Sequence, residues 1–220
     1  MRKLWFRSAQ AGWNPLSYEW YFRTPMGAAI RAREEEAVFR FLEVVMEPHH
    51  SILEVGCGTG NYTVPVARRC AKMVAIDASP EMLQYLRERL LREGLANVET
   101  TLGQLPDGLE TPKKFDGTLA IGVLNYVEDL EEALRSLTSA LRPGGWTIFN
   151  VPLLNTEGRI YALTEMLNRR RINILSLEKI IALAERLGLQ VEMTVPAGLS
   201  QGGLTLVVGA ILPATPFDEL

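Results

Sequence analysis

The chain has little that would support metal or redox chemistry. Of its 220 residues only two are cysteines and two are histidines. Cys57 and Cys70 fit neither a zinc spacing nor a Cys-x-x-Cys pair, so both are expected to stay free thiols in a reducing compartment. His49 and His50 are adjacent and cannot share one helix face as ligands, so no metal is expected. Long apolar runs are lacking too. The stretch 204–213 is among the longest, well short of the ~20 residues a membrane-spanning helix needs. No apolar signal-peptide centre follows the Met-Arg-Lys start, so the expectation is a cytoplasmic protein. Internal repeats, low-complexity tracts and a convincing Ser/His/Asp or Cys/His set are also absent.

What is present is an ordinary globular composition, 47% hydrophobic and 22% charged with 18 Gly and 12 Pro, on a 24.5 kDa chain. That size fits one domain, or one with a small appendage. The net charge of −3 conceals a division: residues 1–33 carry six bases (Arg2, Lys3, Arg7, Arg23, Arg31, Arg33) against Glu19 alone. That segment is therefore +5 and the rest −8. It also holds three of the four tryptophans (Trp5, Trp13, Trp20), with Phe6, Tyr18, Tyr21 and Phe22.

Hydrophobic periodicity predicts a helix over 28–46, where Val38, Phe41, Leu42 and Val45 recur at helical spacing. An apolar run at 51–55 stops at glycines, and a helical pattern resumes over 62–70, which reads as strand, glycine loop, helix. A second strand over 72–76 meets Asp77, and Ser79-Pro80 is an N-cap serine with proline at the first helical position, opening a helix to about Glu93. Strands are predicted over 98–102, 115–121 and 146–151, the last after an Arg142-Pro-Gly-Gly turn, with a helix over 130–141. The last third predicts helices over 160–173 and 176–188, then strands over 189–195 and 204–212 joined by a glycine-rich loop. Alternating strands and helices predict an α/β fold around a mostly parallel sheet, finished by a terminal hairpin.

The loop Glu54-Val-Gly56-Cys-Gly58-Thr-Gly60 has glycines at alternate positions, at the end of the first strand, where open α/β sheets bind ligands. Asp77 ends the second strand 17 residues beyond Gly60 and can accept both hydrogen bonds of a ribose diol. A nicotinamide dinucleotide is the obvious competitor. Its fingerprint requires a small residue three after the second glycine, where this chain has Asn61. The Gly-Lys-Ser/Thr ending of a P-loop is missing. Glu54 would repel a pyrophosphate but attract an ammonium group, so the expected ligand is a nucleoside with a positive tail.

With these motifs in hand, the sequence resembles the class I S-adenosylmethionine-dependent methyltransferases. The resemblance covers roughly residues 50–152 in four ordered motifs: Leu53 to Gly60, Asp77 to Met82, Phe115-Asp-Gly, and Leu141-Arg-Pro-Gly-Gly145. It is nearest to the group that includes ubiquinone, menaquinone and phospholipid methyltransferases. The resemblance implies a doubly wound, mostly parallel seven-stranded sheet with helices on both faces and a terminal antiparallel hairpin. It implies S-adenosylmethionine as cofactor and S-adenosylhomocysteine as product. Carried over residue by residue, cofactor contacts fall to Glu54, Gly56, Cys57, Gly58 and Gly60 at the methionine end, and to Asp77, Ala78 and Met82 around the ribose. Gly103, Gln104 and Leu105 fall on the adenine side, and Ile121, at the end of the fourth strand, is a further expected cofactor contact. The family commonly has Asp where this chain has Gln104, so the adenine amino contact passes to an amide or to backbone.

In that family residues 1–46 would form an N-terminal helical lid segment and 47–220 the catalytic domain, with an insertion at about 152–175. Methyl transfer from a sulfonium needs alignment and exclusion of water more than a dedicated acid or base. Tyr18, Tyr21, Asn125 and Tyr126 are the candidates for lining the acceptor, which is expected to be a small molecule or an amphiphilic, lipid-like one. Two alternatives stand beside this reading: a phospholipid or quinone methyltransferase at the inner membrane surface, touching it peripherally through the aromatic and basic N-terminal segment, and a catalytically inactive cofactor-binding module. Nucleic acid is disfavoured as a partner because the body of the chain is acidic. Nothing in the sequence specifies an oligomeric state.

Overall fold

The computed structural model describes residues 14–106 and 114–214. Its centre is a sheet of β1 (Ser51–Val55), β2 (Lys72–Asp77), β3 (Val98–Leu102), β4 (Phe115–Ala120), β5 (Leu141–Pro152), β6 (Gln190–Ala197) and β7 (Thr205–Ile211). The order is β3-β2-β1-β4-β5-β7-β6. The first five strands are mutually parallel, and β7 slots antiparallel between β5 and β6. The expected terminal hairpin is there, with its second strand innermost.

Strand alternation decides which face each side chain serves. Ile52, Met73, Trp146, Ile148 and Val207 face one way, Leu53, Val74, Phe149, Val151 and Val208 the other. The first face is covered by α2 (Pro25–Val45), which buries Ala37, Val38, Phe41 and Leu42, and by the short α3 (Thr63–Ala67). Alongside them α4 (Pro80–Arg92) packs Leu83, Leu86 and Leu90 onto Ala75. The second face is covered by α5 (Leu130–Ser139) and α7 (Leu177–Arg186), through Leu134, Leu137, Ile180 and Leu183 among others. Each fully buried aliphatic or aromatic side chain contributes about 1.5–3 kcal/mol. The sheet is thus doubly wound, as expected.

Two further helices, α1 (Pro15–Arg23) and α6 (Thr156–Leu167), meet the loops that follow β1 and β4, through Glu19 to Thr59 and Tyr161 to Tyr126. Helix starts repeat one device. Asn14, Thr24 and Ser79 each cap a backbone N–H with the side chain, and each is followed by proline at the first helical position.

Three elements depart from the sequence expectation for identifiable reasons. The helix expected over 62–70 closes at Ala67, because Asn97 Nδ2 binds the carbonyls of Ala67 and Cys70 at 2.7 and 3.0 Å. The helix expected over 160–173 begins earlier, capped by Asn155, and stops at Leu167 before Arg169 adopts φ 61°. Asn173 then ties the following segment to the carbonyls of Leu124 and Val127. The expected turn Arg142-Pro-Gly-Gly is instead an irregularity within β5, since Phe115 pairs with Leu141 but Gly117 with Trp146.

Candidate cofactor and acceptor site

The glycine loop joins β1 to α3, and its backbone is fixed from below: the N–H groups of Gly56 and Cys57 both donate to Ile76 O, at 2.8 and 3.1 Å. Its glycines are not equivalent. A Cβ on Gly56 would meet Val123, and one on Gly60 would lie 2.4 Å from Leu86 Cδ1, so these positions let neighbouring elements approach. A Cβ on Gly58 would meet nothing within 4 Å. With φ of 52°, Gly58 is where the loop turns its backbone toward open space.

Asp77 stands beside that opening. Its Oδ2 accepts from Gly58 N–H at 2.8 Å, and its Oδ1 accepts from Ser79 N–H at 2.9 Å. Burial pushes the carboxyl up, and the N–H groups of Ser79, Gly58 and Ala78 pull it back. Each oxygen keeps a second lone pair for a ligand hydroxyl. Ala78 is half-buried behind it, Met82 is buried in the first turn of α4, and Gly103 N–H binds Asp77 O at 3.0 Å. That last bond holds 103–105 next to Asp77, with Gln104 half-buried and Leu105 in the core.

Glu54 is 3% exposed and accepts a 2.6 Å hydrogen bond from Thr63 Oγ1. Burial, with a smaller push from Asp77, raises its carboxyl to about 8. The acid expected to meet an ammonium group is therefore neutral near pH 7 until a cation is brought to it. Cys57 is buried, and burial followed by the charges of Glu54 and Asp77 drives its thiol well above the ordinary range, which makes it a loop filler and a poor nucleophile. Ile121, half-buried, packs on the α2 face of the sheet.

The acceptor-side candidates divide. Asn125 and Tyr126 lie in a 3-10 turn (Leu124–Tyr126) adjoining Val123, the residue against Gly56. The Tyr126 and Tyr161 hydroxyls are 2.9 Å apart, and Asn125 Nδ2 donates to Tyr161 at 3.2 Å. Tyr126 also lies 3.4 Å from Glu165, a buried carboxylate paired with Arg170 at 3.2 Å. Tyr21 joins this cluster from α1: burial and then the charge of Glu165 raise its hydroxyl. Tyr18 is turned elsewhere. It packs edge-on to Phe22, near Arg31 and Glu34, and burial raises its hydroxyl.

Three residues outside the sequence motifs tie the helices to the loop. Glu19 of α1 accepts from Thr59 Oγ1 within the glycine loop, and Arg89 of α4 donates to Thr59 O and Asn61 Oδ1 from the other side. Glu34 of α2 accepts from Tyr62 and from Asn150, whose Oδ1 in turn takes Gly122 N–H. These are contacts between residues 28 to 116 apart, and no local pattern announces them. Two of the motifs carrying the resemblance lie at the opposite edge: Asp116 accepts Ser51 N–H at 2.7 Å and pairs with Arg142 at 2.7 Å. Asp116 and Arg142 thus hold strand starts together. A depression of about 630 Å³ between α5, α7 and 172–175 shares no residue with the glycine loop.

The model of the methyltransferase domain family matches residues 52–145, the span that carries the loop, Asp77 and the sheet's parallel half. Over residues 52–145 the chain is similar to methyltransferase domains. A curated relative, the ubiquinone biosynthesis O-methyltransferase of Chromobacterium violaceum, is 29% identical over 112 residues, 51% of this chain and 47% of that protein. The chain spans about half the length of such curated relatives or less. The magnesium protoporphyrin IX methyltransferase of Synechocystis PCC 6803, solved with bound S-adenosylhomocysteine, superposes with TM-score 0.74 at 15% identity, covering 94% of this chain and 99% of that one. The N-methyltransferase NodS of Bradyrhizobium japonicum WM9, in complex with the same molecule, gives 0.69 at 20% identity over 95% and 98%. At such identities the fold is what is shared.

Proposed function

We propose that the protein transfers a methyl group from S-adenosylmethionine to a small or amphiphilic acceptor. The observation that carries this reading is the opening at Gly58 beside the Asp77 carboxylate, at the carboxyl edge of β1 and β2. Only a ligand that brings a polar diol to Asp77 and lies close against backbone uses both features.

When bound, the cofactor supplies a methyl carbon already activated by its sulfonium. The chain's own residues do the rest. Asp77 holds the ribose hydroxyls, the backbone at Gly58 admits the amino-acid end, and Glu54 answers its positive charge by losing a proton. Gln104 and Leu105 bound the adenine side. Helix α1, latched by Glu19 to Thr59, acts as the lid, and Tyr21, Asn125, Tyr126 and Tyr161 bound the space for the acceptor. Exclusion of water and alignment of the nucleophile are what such a site contributes to rate.

Thermal-shift titration tests the binding half of the proposal, since a ligand selective for the folded state raises its melting temperature. S-adenosylhomocysteine is expected to raise it while NADH and ATP leave it unchanged. A shift with NADH and none with S-adenosylhomocysteine overturns the reading.

A further inference from the structure

Helix α6 is amphipathic with its polarity reversed. Gly158, Tyr161 and Glu165, spaced i, i+3 and i+7, form its inward face, and Glu165 is only 4% exposed. Ile160, Leu163 and Leu167 repeat the same spacing on the outward face, with Met166 beside them, and Leu167 is 76% exposed. A helix on a water-facing surface does the opposite.

Charge on this face is of one sign. Between 154 and 171 the acids are Glu157 and Glu165; the first accepts from the backbone N–H groups of Leu199 and Ser200, the second is buried against Arg170. Arg159, Arg169 and Arg171 are exposed and make no ion pair among the described residues. Helix α1 neighbours α6 through Tyr21 and Glu165 and repeats the pattern, with Leu16, Trp20 and Arg23 at i, i+4 and i+7 on its exposed side. The exposed Leu199 sits on a loop pinned to both α2 and α6, by Arg33 to Gly198 O and by Glu157.

An apolar stripe rimmed by free arginines matches an anionic lipid surface: side chains enter the headgroup boundary and guanidinium groups meet phosphate. A second copy of the chain matches it poorly, because a two-fold contact through this face would set arginines against arginines with no acid to pair them. No described helix is long and apolar enough to cross a membrane, so the contact is adsorption. We infer that the outward faces of α6 and α1 dock the protein on an anionic lipid surface. The docked face then lies directly over the Tyr21, Tyr126, Tyr161 and Glu165 cluster. The inference stands on the surface alone and does not require the methyl-transfer reading.

The test is co-sedimentation of the full chain with phosphatidylcholine vesicles, with and without phosphatidylglycerol, at low and high salt. Two double variants accompany it: Leu163→Ser with Leu167→Ser, and Arg169→Glu with Arg171→Glu. The expected result is binding to anionic vesicles only, weakened by salt. Each arginine near such a surface is worth roughly a factor of five, so the charge variant should lose at least about tenfold in partitioning. The apolar variant should lose binding too, with unchanged thermal unfolding in both. Failure of the unaltered chain to bind anionic vesicles overturns the inference. So does binding that both variants leave intact, which would move the contact to residues 1–13, outside the described residues. A concentration-dependent dimer abolished by Leu163→Ser with Leu167→Ser would also overturn it.

Discussion

The Asp77 carboxylate accepts the N–H of Gly58 at 2.8 Å, 19 residues back in the chain, so one side chain both shapes the glycine loop and faces its opening. Asp77→Ala therefore acts twice. It removes a charged acceptor worth about 1.5–3 kcal/mol to a ligand hydroxyl, and it leaves two backbone N–H groups without their partner. Calorimetry with S-adenosylhomocysteine should show a loss of roughly tenfold to a hundredfold for Asp77→Ala, with a lowered melting temperature, and an intermediate loss for Asp77→Asn. Unchanged affinity in Asp77→Ala would remove the ribose assignment.

Gly58→Ala and Gly60→Ala should separate ligand space from packing space. Both positions have positive φ, which costs an alanine roughly 1–2 kcal/mol. At Gly60 the added methyl also strikes Leu86, so thermal unfolding should fall further there than at Gly58. At Gly58 the methyl enters open space, so the fold survives while S-adenosylhomocysteine affinity drops by at least about tenfold. Normal affinity in Gly58→Ala would mean the ligand does not approach that backbone.

Glu19→Ala tests the lid. Thr59 is fully buried and its hydroxyl loses an acceptor, at a cost of about 1–3 kcal/mol. Amide hydrogen exchange over 15–23 and 56–63 should quicken, and S-adenosylhomocysteine should dissociate several-fold faster. Exchange identical to the unaltered chain would show that this bond does not hold α1 down.

Glu54 predicts a pH signature. Its carboxyl, raised to about 8 from the ordinary 4.5, is protonated at neutral pH in the free protein, while an ammonium group nearby favours the carboxylate. Ligand binding should then release a proton below pH 8, and affinity should rise with pH up to that point. The same raised value means the folded state holds more protons than the unfolded one between 4.5 and 8, so this group makes stability fall as pH rises through that window. Calorimetry in buffers of different ionisation enthalpy measures the proton release, and Glu54→Gln should abolish it.

What the sequence made legible was local. The apolar runs of β1 and β2, the glycines at 56, 58 and 60 and Asp77 at a strand end all fall between residues 51 and 77, and each is readable from its near neighbours in the chain. The acceptor side was readable only in part. Asn125 and Tyr126 could be named from their place after a strand, but Tyr161, Glu165 and Glu19 matter through partners on other elements. A trace of α6's role was present all the same: Glu165 sits four residues after Tyr161, opposite Ile160, Leu163 and Leu167. That pattern reads as an ordinary amphipathic helix until the fold shows which face is inside. The lid assignment for 1–13 concerns residues outside those described, and Arg2, Lys3, Trp5, Phe6, Arg7 and Trp13 belong with it.

Methyl transfer itself is tested by incubating the purified chain with methyl-labelled S-adenosylmethionine and a cell extract, separated into lipid, small-molecule and RNA fractions. Label is expected in the lipid or small-molecule fraction, and Gly58→Ala should strongly reduce it. Absence of label from every fraction, by a protein that still binds S-adenosylhomocysteine, would contradict the claim and leave a cofactor-binding module without catalysis.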